Sequence, residues 1–299
     1  MVDNKKNEKV SAIIFGLINV GLIFLSSYYL IFAFCVPIFT AIKLWDLDDK
    51  NKPIFLFVSG LILALIDRRL AYFLMLPMLI SGLVIFYIIK RNKTDKDSIK
   101  ILTLIFSVLS LAIIGYLYTK TDFKINDLVK NVEQVFVEQD FKFDKEIIRK
   151  SLTTMPSLIV FFSLIYSMIS LKLVRNYLNY KDENIRDLRI INTIRIEVKD
   201  LKLIFASLII SVVLSKLLGF SEEFIYLNSI MTLKLIFSLN GILLIDYFVS
   251  LRKNKISRVF NWFLMFILFS YAGEIIALIG FIDTFVNFRK KVRIRWKIN

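Results

Sequence analysis

Apolar residues along this chain run in long blocks separated by short charged stretches, and the block lengths predict helices that cross a membrane. Val10 to Ile42 is 33 residues without a charge. That is too long for one span of about 20 residues and short for two full ones. Ser26-Ser27 and Tyr28-Tyr29 mark an interface in its middle, so two short helices are expected. The next block runs from Pro53, suited to a first helical turn, to Lys90. Asp67-Arg68-Arg69 breaks it near the centre, which predicts a hairpin of two short spans. Ile101 to Thr119, Leu152 to Leu171 (with Pro156 near its start), Leu203 to Leu218 and Phe224 to Ser250 each predict one span, the last long enough to tilt. Val259 to Phe288, interrupted by Gly273-Glu274, again suits two short helices. The expectation is an all-α polytopic protein of about 8-10 spans, with ten the best count.

Charge placement then orients the helices, because short cytoplasmic loops carry an excess of Lys and Arg. With the N-terminus in the cytoplasm, 29 of the 40 basic residues fall inside and 10 outside, leaving Lys234 within a span. Seven of the outer ten lie in a long loop beside seven acids, so the short-loop bias is stronger still. Both termini are expected in the cytoplasm. The chain divides into N-terminal helices (10-119), an extracytoplasmic loop with an amphipathic helix (120-151) and C-terminal helices (152-288), all in one integral membrane domain. The apolar run after the first nine residues carries no small-residue cleavage site, so it is read as an uncleaved first span.

Two segments outside the apolar blocks have a helical stripe. In the outer loop Ile125, Val129, Val132 and Phe136 recur at helical spacing with charges between them. On the inner side Ile185, Leu188, Ile191, Ile194, Val198 and Leu201 form a stripe in segment 181-201, which predicts an amphipathic helix on the membrane surface. That segment is also a candidate docking surface for a protein partner. The alternation in IRIEVK would allow a strand, but one with no partner.

Composition closes off several chemistries. Hydrophobic residues make up 57% of the chain, above the roughly 45 to 50% of soluble domains. There is one cysteine, Cys35, and no histidine, which excludes an internal disulfide and argues against zinc, haem or iron-sulfur ligation. No phosphate-binding loop, nucleotide loop or nucleophile elbow is present, so neither an ATPase nor a hydrolase is supported. No enzyme activity, cofactor or metal is expected. The net charge of +15 suits the inner membrane face rather than nucleic acid.

Polar groups at membrane depth are then the candidates for function, since each charge there costs about 2.5 to 3.5 kcal/mol on insertion scales. Lys234 shares its span with Asn228, Asn240 and Asp246, and Asn240-Gly241 is a place where backbone could open to a cavity. Glu274 and Asp283 in the last block are possible carboxylate partners of Lys234; alternatively Asp283, near the inner interface, simply faces Arg289. The alternatives are a structural ion pair with bridging asparagines or a polar site for a solute. Arg289, Lys290 and Lys291 follow the last span as expected anchors against anionic headgroups.

Three stretches carry a family resemblance: GFIDTFVNFRKK (with Gly280, Asp283, Phe288, Arg289 and Lys290), the segment PSLIVFFSLIYSMISLKLVRNYL from Pro156, and LPMLISGLVIFYIIK with Pro77 and Gly82. Through them the chain resembles the YybS-like family of bacterial polytopic membrane proteins over nearly its whole length. It departs after Tyr180, where the isoleucine-rich stripe replaces a Trp- and Pro-containing stretch. The resemblance implies the cell membrane of a Gram-positive bacterium. It further implies a distant similarity to the substrate-binding subunits of energy-coupling factor transporters, with an ATPase module as partner, and carries over no binding residue. The expected function is small-molecule binding or transport; the alternative is a non-transporting scaffold that recruits an envelope or signalling partner through segment 181-201.

Overall fold

The computed structural model describes residues 2–66, 68, 71–120, 130, 134, 145–181, 185, 191–217, 219–251 and 255–291. Their regular structure is entirely helical. The chain forms two units, one of residues 1–117 and 162–188, the other of residues 118–161 and 189–299. Among the described residues four helices are long and apolar enough to cross a membrane, Glu8–Ser26, Ala71–Lys90, Met155–Tyr180 and Glu222–Ser250, with a shorter apolar helix at Lys52–Ile66.

In the first unit α1 (Val2–Ser26) ends where the polar pair predicts. The Ser26 and Ser27 hydroxyls donate to the carbonyls of Ile23 and Phe24, both at 2.6 Å, and Tyr29 is extended before α2 (Leu30–Asp46) begins. α3 (Lys52–Ile66) and α4 (Leu76–Lys90) form the next pair, joined through a π-helical turn at Ala71–Met75; Asp67 and Arg69 lie outside the described residues. α5 (Asp95–Lys120) and most of α7 (Met155–Tyr180) complete the unit. α1 packs on α2 and α3, and α2 on α4, around a core that includes Ile23, Val36, Leu63 and Leu79. Leu65 and Phe57 stay exposed at 77% and 65%, as a lipid-facing surface permits, since the tails are as apolar as the side chains. The buried Asn19 amide reaches Ser59 (3.4 Å) and accepts from Thr40 (3.5 Å), bonding three helices together.

Charged contacts gather four segments at one end of this unit. Asn51 donates to Glu8 at 3.4 Å, Lys90 pairs with Asp49 at 3.9 Å, and Lys181 with Asp46 at 2.8 Å. Arg175, 1% exposed, pairs with Asp95 at 2.7 Å. α1 and α2 therefore leave this end and return to it, and so do α3 and α4.

In the second unit α6 (Lys145–Thr153) closes the 120–151 connection; the stripe at Ile125, Val129, Val132 and Phe136 lies outside the described residues. α8 (Val198–Leu217) leads through Gly219 (φ +77°) to α9 (Glu222–Ser250). Ser221 caps α9 by accepting the Phe224 N–H at 3.2 Å, and Glu222 and Glu223 follow in the positive first turn. Within segment 181–201, Ile191–Thr193 is a 3₁₀ turn and 194–197 is irregular, so the described residues 191–197 do not carry the expected amphipathic helix. Its remaining stripe residue Leu188 lies outside the described residues, while Val198 and Leu201 belong to α8.

α10 (Lys255–Val286) is helical through Gly273-Glu274, where two separate helices are expected from sequence. Straight, its 32 residues would span about 48 Å. Yet Lys255 follows Ser250 after four residues, a reach of about 17 Å, and Arg289 just past the other end meets Tyr247. Both ends thus lie near the end of α9, and α10 must bend back on itself.

Candidate functional site

The sequence-derived candidates all fall in the second unit, but they do not form one site. Lys234, midway along α9, donates to Glu274 of α10 at 3.0 Å, with side chains 35% and 87% exposed. Neither Asp283 nor Asp246 is its partner. Asn228 sits toward the start of α9, accepting from the Ser157 N–H (3.2 Å) and hydroxyl (2.8 Å) and donating to the Thr153 carbonyl (2.9 Å). It ties the start of α7 to α9 and reaches none of the other candidates.

Asn240, Asp283 and Arg289 do come together. Two glycines make the approach possible: a Cβ on Gly280 would run into the Phe237 carbonyl, and one on Gly241 into the Ile276 carbonyl. Backbones this close let the Asn240 amide donate to the Gly280 carbonyl at 2.7 Å, the small-residue contact that membrane helices use. The pairs Lys234–Glu274, Asn240–Gly280 and Tyr247–Arg289 advance together along both chains, so this part of α10 runs in the direction of α9.

Asp283 is fully buried near the end of α10. Asn287 turns into the left-handed region (φ 52°) and ends the helix, and Asp283 Oδ1 accepts the Phe288 N–H at 3.0 Å. Arg289 follows on the next turn. It is 5% exposed, so it does not anchor on headgroups as expected; Lys290 and Lys291 remain exposed. Its guanidinium donates to the carbonyls of Ile194 (3.0 Å) and Asn240 (3.2 Å) and lies 3.5 Å from Asp283 Oδ2. The planar fork serves the two carbonyls from different nitrogens while facing the carboxylate, a spread that the single nitrogen of an ammonium does not have. Burial pulls the Arg289 pKa down to about 10, opposed by Asp283 and reinforced by Arg195, so the group is still charged at neutral pH.

Residues 192–196 supply the rest. Arg195 donates to the Asp283 carbonyl at 3.0 Å, a cation at a helix C-terminus. The Ile196 N–H donates to Asn240 Oδ1 at 3.3 Å. Asn192 donates to Asp246 (2.8 Å) and Ser250 (3.1 Å), which accounts for the buried Asp246 carboxylate. Asn192 and Arg195 are missed from sequence because they sit in a loop read as a surface helix. The alternation in Ile194-Arg195-Ile196-Glu197 is the signal that could have placed Arg195: the non-helical segment binds helix ends instead of a strand.

The junction holds two guanidiniums, two carboxylates and two asparagines, and it can bind charge without any nucleophile-base pair. Arg289 Nε has no hydrogen-bond partner among the described residues, and Asp283 Oδ2 has only the ion pair. Among the described residues no group of three Asp, Glu or Cys gathers to hold a metal.

Apolar helices of spanning length, with hydrogen-bonded polar groups sealed between them, define a polytopic helical membrane protein. Over residues 10–284 the chain matches the family described as Predicted membrane protein (DUF2232), and it belongs to that family. No curated protein and no solved structure matches it.

Proposed function

We propose that this membrane protein binds or helps move a small solute, and that the solute engages the junction of Arg195, Asn240, Asp283 and Arg289. The observation that carries this is the concentration of buried charge there, with Arg289 Nε left without a hydrogen-bond partner among the described residues. Buried ionisable groups in membrane helices are expensive, and function is the usual reason they are retained. The Arg289 Nε–H still open to an acceptor there favours a solute with an anionic group. Lys234 is assigned to a structural pair with Glu274. The scaffold alternative loses support because Ile194, Arg195 and Ile196 bond the helix ends and are not offered as a docking helix. No catalytic role is proposed.

The proposal extends to topology, with ten crossings and both termini in the cytoplasm of a bacterial cell. Its support is the shared end of residues 8, 46–52, 90–95 and 175–181, together with the bend in α10, which can supply two short crossings. The resemblance to YybS-like proteins and to energy-coupling factor subunits points the same way and makes an ATPase module the partner to look for.

The test is the small molecule that leaves with the protein. Parent and Arg195→Gln are purified in one mild detergent and denatured, and the released compounds are compared by mass spectrometry. An anionic compound released near equimolar from the parent and lost from the variant is expected. If parent and variant release the same compounds in the same amounts, the junction is not a solute site.

A further inference from the structure

The first unit carries a groove of about 330 Å³ between α4 and α5 that no part of the solute proposal uses. Its walls are apolar, formed by Leu83, Val84, Ile88 and Ile101 among others, and one end is cationic, with Tyr87, Arg91 and Lys93. That end belongs to the face where the charged contacts of this unit gather, so the groove runs from a charged interface toward the apolar depth of the helices.

The cations at this end differ in pairing. Lys43, Lys52, Lys90, Lys181 and Arg175 each meet a carboxylate. Arg91 and Lys93, the two that line the groove, meet none among the described residues, and the neighbouring Asp97 is turned toward the Thr94 hydroxyl and caps its own turn. Both cations are also held in place. The Arg91 guanidinium lies 4.6 Å over the Tyr87 ring and donates to its hydroxyl at 3.3 Å. α4 ends in a Schellman turn: Asn92 is left-handed (φ 46°), its N–H reaches the Ile89 carbonyl at 2.9 Å, and the Lys93 N–H reaches Ile88 at 3.4 Å. That turn sets the Lys93 stem beside Ile88 at the mouth of the groove.

We propose that the groove seats an acyl chain of an anionic phospholipid whose phosphate lies between Arg91 and Lys93. The apolar walls select a lipid over a free phosphate, and two uncompensated cations at the interface select an anionic headgroup over a zwitterionic one.

The test uses the full chain in dodecylmaltoside, titrated with phosphatidylglycerol, with phosphatidylcholine, or with glycerol 3-phosphate alone. Phosphatidylglycerol should raise the melting temperature by several degrees more than the other two. Arg91→Gln and Lys93→Gln should each lose at least half of that difference, while Lys50→Gln, the same charge change on an exposed residue elsewhere in this unit, should keep it. Equal shifts with both lipids, an equal shift with glycerol 3-phosphate, or an equal loss in Lys50→Gln would each overturn the proposal. Should the Arg91 or Lys93 variants fail to purify, Val84→Trp fills the groove with both cations intact. Native mass spectrometry should then count fewer retained phosphatidylglycerol molecules than on the parent, and an unchanged count overturns the proposal.

Discussion

Arg289 is the residue whose surroundings most change the meaning of its charge. Read beside Lys290 and Lys291 it is one of a basic cluster; folded, it bridges Ile194 and Asn240 and faces Asp283. Arg289→Lys keeps the charge but cannot reach both carbonyls, leaving at least one buried acceptor unmade at about 1 to 3 kcal/mol. Thermal unfolding in detergent should show that loss, whereas Lys290→Gln, on an exposed neighbour, should unfold with the parent. Lys234 follows a different logic, since its pair with Glu274 is partly exposed. Lys234→Met should lower the melting temperature slightly, and Lys234→Met with Glu274→Gln should recover it, because the amide removes the stranded charge. A single variant that melts no lower than the parent would remove the pair from the account.

Between elements, the contact of α9 with α10 depends on the absence of two side chains. Gly280→Ala would drive a methyl into the Phe237 carbonyl, and overpacking of this kind costs about 1 to 3 kcal/mol. Gly21 in α1 and Gly115 in α5 have nothing within 4 Å of the same position. Alanine there should be neutral or stabilising by up to about 1 kcal/mol, since alanine is the better helix former. Fluorescence-detected melting of the three variants should therefore split, with Gly280→Ala low and the other two at or above the parent. Equal melting temperatures would mean that the close approach is not needed.

Across the whole molecule the prediction concerns sidedness. Reporter fusions at Asn299 and near Lys120 should report opposite sides of the membrane, cytoplasmic for the first and external for the second. If α10 makes one crossing instead of two, both will report the same side. The bend required by the four-residue link after Ser250 favours the two-crossing outcome.

Much of this was legible without coordinates, for reasons that are local. Block length, the Ser26-to-Tyr29 break and the clustering of Lys and Arg are responses to a bilayer of known thickness and charge, so they are written along the chain. The membrane class and the ends of α1, α2 and α9 follow from them. Lys234 was recognisable as a charge in need of a partner because a span has no water to offer it. That Asp283 faces Arg289 was also legible, because the two lie six residues apart at the end of the last block. Which carboxylate Lys234 meets, and that Asn240 joins that pair while Asn228 stands apart, depends on helix register at a glycine crossing, and nothing in the spacing of the residues encodes that. The pairing of Arg175 with Asp95 and the use of the non-helical Ile194-Arg195-Ile196 to tie helix ends were likewise decided by tertiary structure. Buried polar groups take whichever partner the packing brings within reach, and separation along the sequence does not limit that choice.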